Sequence, residues 1–286
     1  MRIRLIVAAA VAAAMCLAPA GALAHSGATG KRQYYLALGD SLSRGAQPNT
    51  SGVTVPTNQG YPNDLLNRER SNFPGLTLKE LGCLGESTTT MLKGGICSYA
   101  AGTQLKAAVQ FLQAHKGHIA FVTIDIGAND VDLCVTSSGI SLACLTKGEK
   151  AIKKNLPKIA AALRQAAGAK VPIIGMTYYD PFLAEWFAGP SGQSEAGLSQ
   201  ALARNVNGEI TAGYQSADIS VGHVGIAFLT YKPFTETTLL DGQQVPVAVA
   251  SICELTWMCA PSPVGPNIHA NPAGYSLISA VLAGNL

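Results

Sequence analysis

Past its first residues the sequence has no apolar run of the roughly 20 residues needed to cross a bilayer, so no stable membrane insertion is expected. It has no phosphate-binding Walker loop, no dinucleotide glycine fingerprint and no paired-histidine metal motif. Those absences remove the usual signatures of nucleotide, nicotinamide and metal chemistry, and neither a cofactor nor a metal is expected. No Gly-x-Ser-x-Gly elbow occurs, which argues against the α/β-hydrolases proper. Positive charge is also scarce, with a formal net charge of only +3. Its one mild cluster is Lys147, Lys150, Lys153, Lys154 and Lys158, on an expected helix. That cluster reads as a solvated face and not as a nucleic-acid footprint. There is no internal repeat.

What is present begins with an export signal. Arg2 and Arg4 precede an apolar run over residues 5–17, and the stretch closes on Ala22-Leu23-Ala24, a small-x-small cleavage pattern. Pro19 and Gly21 interrupt it, which counts against an anchor. Residues 1–24 are therefore assigned to a signal peptide and residues 25–286 to a single secreted domain, expected to be a monomer. About 260 residues are enough for one sizeable core.

The chain has seven cysteines, of which Cys16 falls in the signal. The remaining six are an even number in an exported chain and imply disulfides. Fifteen pairings are formally possible. The positions fall into close couples, which favours Cys83–Cys97, Cys134–Cys144 and Cys253–Cys259. No couple has the two-residue spacing of a zinc knuckle.

Strand-like and helix-like segments alternate, the pattern of a mostly parallel sheet covered on both faces, a three-layer α/β/α class. Apolar strands are expected at 34–38, 119–126 and 171–177, with a fourth inside 219–231. Helical spacing covers 103–115, 149–167, 195–216 and 271–282. Residues 47–61 and 232–267 read as irregular, and segments of that length inside a compact domain are usually functional or poorly ordered.

Gly39-Asp40-Ser41-Leu42 follows the first strand, which places Ser41 at the carboxyl edge where open α/β sheets hold their ligands. Taken singly the string also fits a plain Asx turn or helix cap. Gly127-Ala128-Asn129-Asp130 ends the strongest strand and opens on the same edge, although Asn-Asp after a strand is also a common turn. His269 precedes Asn271-Pro272, an N-cap followed by proline at the first helical position.

Together with Gly85 in Gly82-Cys83-Leu84-Gly85-Glu86-Ser87, these blocks resemble the GDSL or SGNH hydrolases, named for a serine, a glycine, an asparagine and a histidine in that order. The likeness spans residues 34–278. It implies a flavodoxin-like sheet and cleavage of carboxylic esters, small-molecule or lipid, through an acyl-enzyme on Ser41 with His269 as general base. It also implies an oxyanion hole formed by the backbone N–H groups of Ser41 and Gly85 and the side-chain amide of Asn129.

One position departs from the family pattern. Where an aspartate usually orients the histidine, this chain has Pro266 and Asn267. The ring is therefore expected to take a main-chain carbonyl near Pro266, with Asn267 as the alternative and Glu254 as a distant carboxylate. Phospholipid or acetylated polysaccharide as substrate, or a binding protein of the same fold with weak or no catalysis, are the competing readings. Two sets of residues are candidate walls of an acyl pocket, Tyr178, Tyr179, Phe182, Trp186 and Phe187 in one, Trp257 and Met258 in the other.

Overall fold

A computed structural model describes residues 33–136 and 139–286. The expected signal peptide and its cleavage point before His25 lie outside the described residues. Five parallel strands form the sheet: β1 (Gln33–Gly39), β2 (Leu76–Glu80), β3 (Ile119–Asp125), β4 (Ile173–Met176) and β5 (Ser220–Gly222). Their order is β2-β1-β3-β4-β5. Chain direction across the sheet therefore reverses between β1 and β3, and open α/β sheets bind ligands outside the carboxyl ends at such a switch point. Gly39 pairs with Asp125 in register, so the two loops leaving β1 and β3 start side by side.

Both central strands are apolar along their length because both faces are covered. Tyr35, Leu36, Phe121, Val122 and Ile124 are essentially inaccessible, each worth about 1.5–3 kcal/mol of burial. The helices form two layers. In one, α3 (Gln104–Ala114), α4 (Leu142–Ala167) and α5 (Pro190–Gln215) pack in succession; in the other, α1 (Tyr61–Glu69) packs on α8 (Pro272–Ala283), flanked by α6 (Val224–Ala227) and α7 (Val247–Leu255). A short helix α2 (Thr88–Lys93) lies against α3 and α4.

Local chemistry sets the ends. Thr103 caps α3 by accepting from the Lys106 N–H at 3.1 Å, and Asn271 caps α8 by accepting from Gly274 N–H at 3.0 Å with Pro272 in the first turn. Both are the usual short polar caps. The segment expected to be irregular at 232–267 contains the hairpin Thr237–Leu240/Gln243–Pro246 and α7. Helix α7 reads Val-Ala-Val-Ala-Ser-Ile-Cys, apolar almost all round, so it shows no helical alternation. Segment 47–61 forms a small hairpin, Gln47–Pro48 with Thr54–Val55.

The cysteines pair as expected, Cys83 with Cys97, Cys134 with Cys144 and Cys253 with Cys259. Among the described residues no helix is long and apolar enough to cross a membrane. Peptide mapping without reduction should recover these three local links, and a link between different couples would refute the pairing. Replacing Cys83 and Cys97 together by serine opens a loop of sequence separation 14. That change should lower unfolding free energy in urea by about 3 kcal/mol on the chain-entropy model.

Candidate active site

The turn after β1 is built around two buried carboxyl groups. Gly39 has φ +131°, and a Cβ there would meet the Asp125 carbonyl oxygen at 2.0 Å, so only glycine fits. Gln104 brackets it, accepting from Gly39 N–H at 2.7 Å and donating to Gly39 C=O at 2.9 Å. Asp125 Oδ2 accepts from the N–H groups of Asp40 (3.1 Å) and Ser43 (3.2 Å), and Asp40 Oδ1 accepts from Leu42 N–H (3.0 Å). The bond to Leu42 is an Asx turn, so the plain-turn reading of this string is also correct: the turn is what presents the serine. Tyr178 Oη donates to Asp40 Oδ2 at 2.6 Å, and Tyr61 donates its hydroxyl to Asp125. Burial raises both carboxyls above their ordinary values, Asp125 the more because the charge of Asp40 adds to its desolvation. With the amides of residues 40, 42 and 43 engaged, the N–H of Ser41 alone in this turn has no acceptor among the described residues.

His269 reaches the serine from a hairpin between Thr256–Trp257 and Asn267–Ala270. Its Nε2 lies 2.8 Å from Ser41 Oγ and its Nδ1 lies 2.8 Å from Asn267 Oδ1. The amide cannot be turned round without loss. Oδ1 also accepts from the His269 backbone N–H at 3.1 Å, while Nδ2 donates to Thr54 Oγ1 at 2.9 Å. An acceptor facing Nδ1 requires the proton there, which leaves the Nε2 lone pair for the Ser41 hydroxyl. Tyr179 Oη steadies the same segment by donating to the Ile268 carbonyl at 2.8 Å.

This geometry corrects the expectation that a main-chain carbonyl near Pro266 orients the ring. The side chain of Asn267 takes that place, because the hairpin turns it back over its own i+2 amide. Among the described residues Glu254 bonds to this region only through its main-chain carbonyl, which accepts from Asn271 Nδ2 at 2.8 Å. Burial lowers the imidazole pKa to about 4, and among the described residues no carboxylate bonds to the ring to offset the desolvation.

The second and third sequence blocks, those of Gly85 and Asn129, are bonded to each other. Asn129 Nδ2 donates one hydrogen to the Glu86 carbonyl at 3.0 Å, which leaves its second hydrogen free. Asp130 accepts from both the N–H and the hydroxyl of Thr88 at 2.8 Å, so the β3 loop is tied to the start of α2. Gly85 lies between these ties and the Cys83–Cys97 link with φ +78°. Its N–H likewise has no acceptor among the described residues.

Ser41, Asn129 and His269 line one cavity of about 50 Å³. Gly85 is not on its wall. A second cavity of about 70 Å³ adjoins it. Of the candidate aromatic walls, Tyr178, Tyr179 and Phe182 line this second cavity. Trp186 instead packs on Phe234 with ring centroids 5.0 Å apart. Phe187 and Met258 line a separate surface pocket, and Trp257 lines neither cavity. Asp125, Tyr61, Gln104 and Thr54 were not anticipated from the sequence. A signal existed for Asp125 alone, as the one acidic residue ending an otherwise apolar strand.

A serine hydroxyl whose proton faces an imidazole lone pair, with free amide donors beside it and a cavity in front, places the site in the serine-hydrolase class. The sequence agrees at the level of family: the model described as the GDSL-like Lipase/Acylhydrolase family matches residues 37–277, and the chain belongs to that family. The structure is similar to an extracellular lipase from Streptomyces rimosus, with TM-score 0.56 and 20% identity over 89% of this chain and 100% of that one. It is also similar to phospholipase A1 from Streptomyces albidoflavus NA297, with TM-score 0.57 and 18% identity over the same shares. At such identities the likeness is one of fold. No curated protein sequence matches the chain.

Followed by NMR, His269 should titrate near pH 4, and Asn267→Asp should raise that value by placing a negative charge against the imidazolium. Because the folded pKa lies below the unfolded one, this residue's contribution to stability is full above about pH 6.5 and lost as pH falls toward 4. A wild-type value at or above 6.5 would contradict the burial argument.

Proposed function

We propose that this chain is a secreted hydrolase of carboxylic esters that works through an acyl-enzyme on Ser41. The observation that carries the reading is the 2.8 Å contact between Ser41 Oγ and His269 Nε2, in the tautomer that accepts a proton. His269 Nε2 takes the Ser41 proton as Oγ bonds to the ester carbonyl carbon, and the carbonyl electron pair moves onto oxygen. The free N–H of Ser41 and the second amide hydrogen of Asn129, both on the cavity wall, are the donors for that oxyanion, with the free N–H of Gly85 as a third from the segment to which Asn129 is bonded. Collapse expels the alcohol oxygen, which takes the proton from His269. Water then repeats the sequence and releases the acid.

Two further features support parts of this reading. Three disulfides and the signal-like N-terminus favour export into an oxidising compartment. The adjoining apolar cavity favours an acyl chain over a bulky sugar as the buried part of the substrate. The binding-protein alternative rested on the absent aspartate, and Asn267 supplies the ring with its acceptor by another route.

Ser41→Ala should abolish hydrolysis of p-nitrophenyl esters with the fold intact, and a fluorophosphonate should label Ser41 in the wild type. An unlabelled, folded protein would return the chain to the binding class. Asn129→Ala should lower kcat by on the order of 10²–10³, the cost of one oxyanion donor. Asn267→Ala leaves a buried ring N–H without its acceptor, worth about 1–3 kcal/mol. It should therefore lower kcat/KM by roughly 10- to 100-fold, and a change below about threefold would remove Asn267 from the mechanism.

A further inference from the structure

The two cavities share a wall made by Ala128, Asp132, Tyr178, Tyr179 and Pro181. On its far side from Ser41 the second cavity is lined by aliphatic side chains, Val131, Val135, Ile140, Leu145, Leu202 and Val206. Most of the polar groups on this lining are already occupied. Ser199 Oγ donates to Asp180 at 2.7 Å, Asp180 also accepts from Phe182 N–H at 3.0 Å, and Asn207 is bonded to the Tyr178 main chain and Tyr231 Oη. Tyr178 and Tyr179 place their hydroxyls on Asp40 and Ile268. The carboxyl of Asp132 is the exception, with no hydrogen-bond partner among the described residues.

Asp132 is held where it is by the chain around it. It opens the short turn Asp132–Cys134, which the Cys134–Cys144 link fastens to α4. Gly148 of α4 lets the helix approach so closely that a Cβ there would meet the Asp130 carbonyl at 2.2 Å. The carboxyl thus stands in a fixed partition between the Ser41 cavity and an aliphatic one.

We propose that Asp132 determines acyl-chain selectivity, admitting chains longer than acetyl to the adjoining aliphatic cavity while its carboxyl is neutral and excluding them once it is ionised. The inference rests on the ester-hydrolase reading and specifies its substrate side. Seating an alkyl chain against a carboxylate strips that charge of water without giving it a partner, which is strongly unfavourable. Seating it against a neutral carboxyl costs far less. The groups around Asp132 favour the neutral form. Asp40 comes from the turn after β1, Asp130 from its own loop and Asp180 from the segment after β4, while Tyr178, Tyr179 and His269 contribute no cation at neutral pH. Desolvation first, and then those three carboxylates, push the Asp132 pKa up to about 8. The carboxyl is therefore neutral below that pH and charged above it.

The test is the ratio of kcat/KM for p-nitrophenyl hexanoate to that for p-nitrophenyl acetate, measured from pH 5.5 to 9.5 with spontaneous hydrolysis subtracted. Ionisation of His269 affects both esters alike and cancels in the ratio. If only the neutral carboxyl admits the longer chain, the wild-type ratio should be about tenfold lower at pH 9 than at pH 6. In Asp132→Asn, an uncharged isostere, the ratio should be flat across the range, whatever the absolute rate. A flat wild-type ratio would overturn the proposal, as would a titrating ratio that survives Asp132→Asn. A midpoint near 6 that disappears in Asp180→Asn would assign the effect to Asp180, whose own pKa burial raises to about 6, and would overturn it too. A folded wild type that hydrolyses neither ester at any pH removes the ester-hydrolase reading itself, and this inference with it.

Discussion

The site depends on one arrangement, the burial of Asp40 and Asp125 side by side beneath the turn that carries Ser41. A buried carboxyl is costly unless its oxygens are supplied with donors. Here the donors are the backbone amides of residues 40, 42 and 43 and the hydroxyls of Tyr61 and Tyr178. Satisfying the carboxyls therefore fixes the backbone, and the amide left over is the one at position 41. Gly39 follows from the same constraint, since the space its side chain would fill is occupied by Asp125. The tyrosines extend the brace outward, because Tyr178 also forms part of the partition between the two cavities.

Asparagine at 267 changes the electrostatics of the relay. Replacing a triad aspartate by asparagine can cost about 10⁴ in kcat, because the amide tends to present its donor and select the wrong histidine tautomer. In this chain the His269 backbone N–H, which can only donate, holds the amide oxygen on the ring side, and the amide nitrogen is left to Thr54. The tautomer is kept without a charge. The imidazole accordingly lacks the stabilisation a carboxylate would lend its protonated form, and it stays a free base far into acid.

Much of this was legible in the sequence, and the limits have physical causes. The central strands stand out because burial on both faces demands unbroken apolar runs, as in Ile-Ala-Phe-Val-Thr-Ile-Asp. The edge strand β2, Leu-Thr-Leu-Lys-Glu, is half exposed and carries the charges edge strands tolerate, so it left no such trace. Ser41, Asn129 and His269 each sit in a short motif with a structural reason for its spacing. The orienter of His269 was read wrongly because it depends on Thr54, which is distant in sequence and comes from a hairpin that looked irregular. Asp132 was invisible for a related reason: the cavity beside it is completed by Leu202 and Val206, from a helix far away in sequence.

The separations in sequence across the site carry a consequence for how the chain matures. Ser41 and His269 are 228 residues apart, and Asn267 and Thr54 are 213 apart. Contacts of that range require nearly all of the loop-closure entropy to be met before they form. Ser41 follows the first described strand of the sheet, while His269 comes 228 residues later, just ahead of the helix that packs on α1. A nascent or partly folded chain therefore holds Ser41 without its His269 contact until the segment around residues 267–270 has been made and has docked.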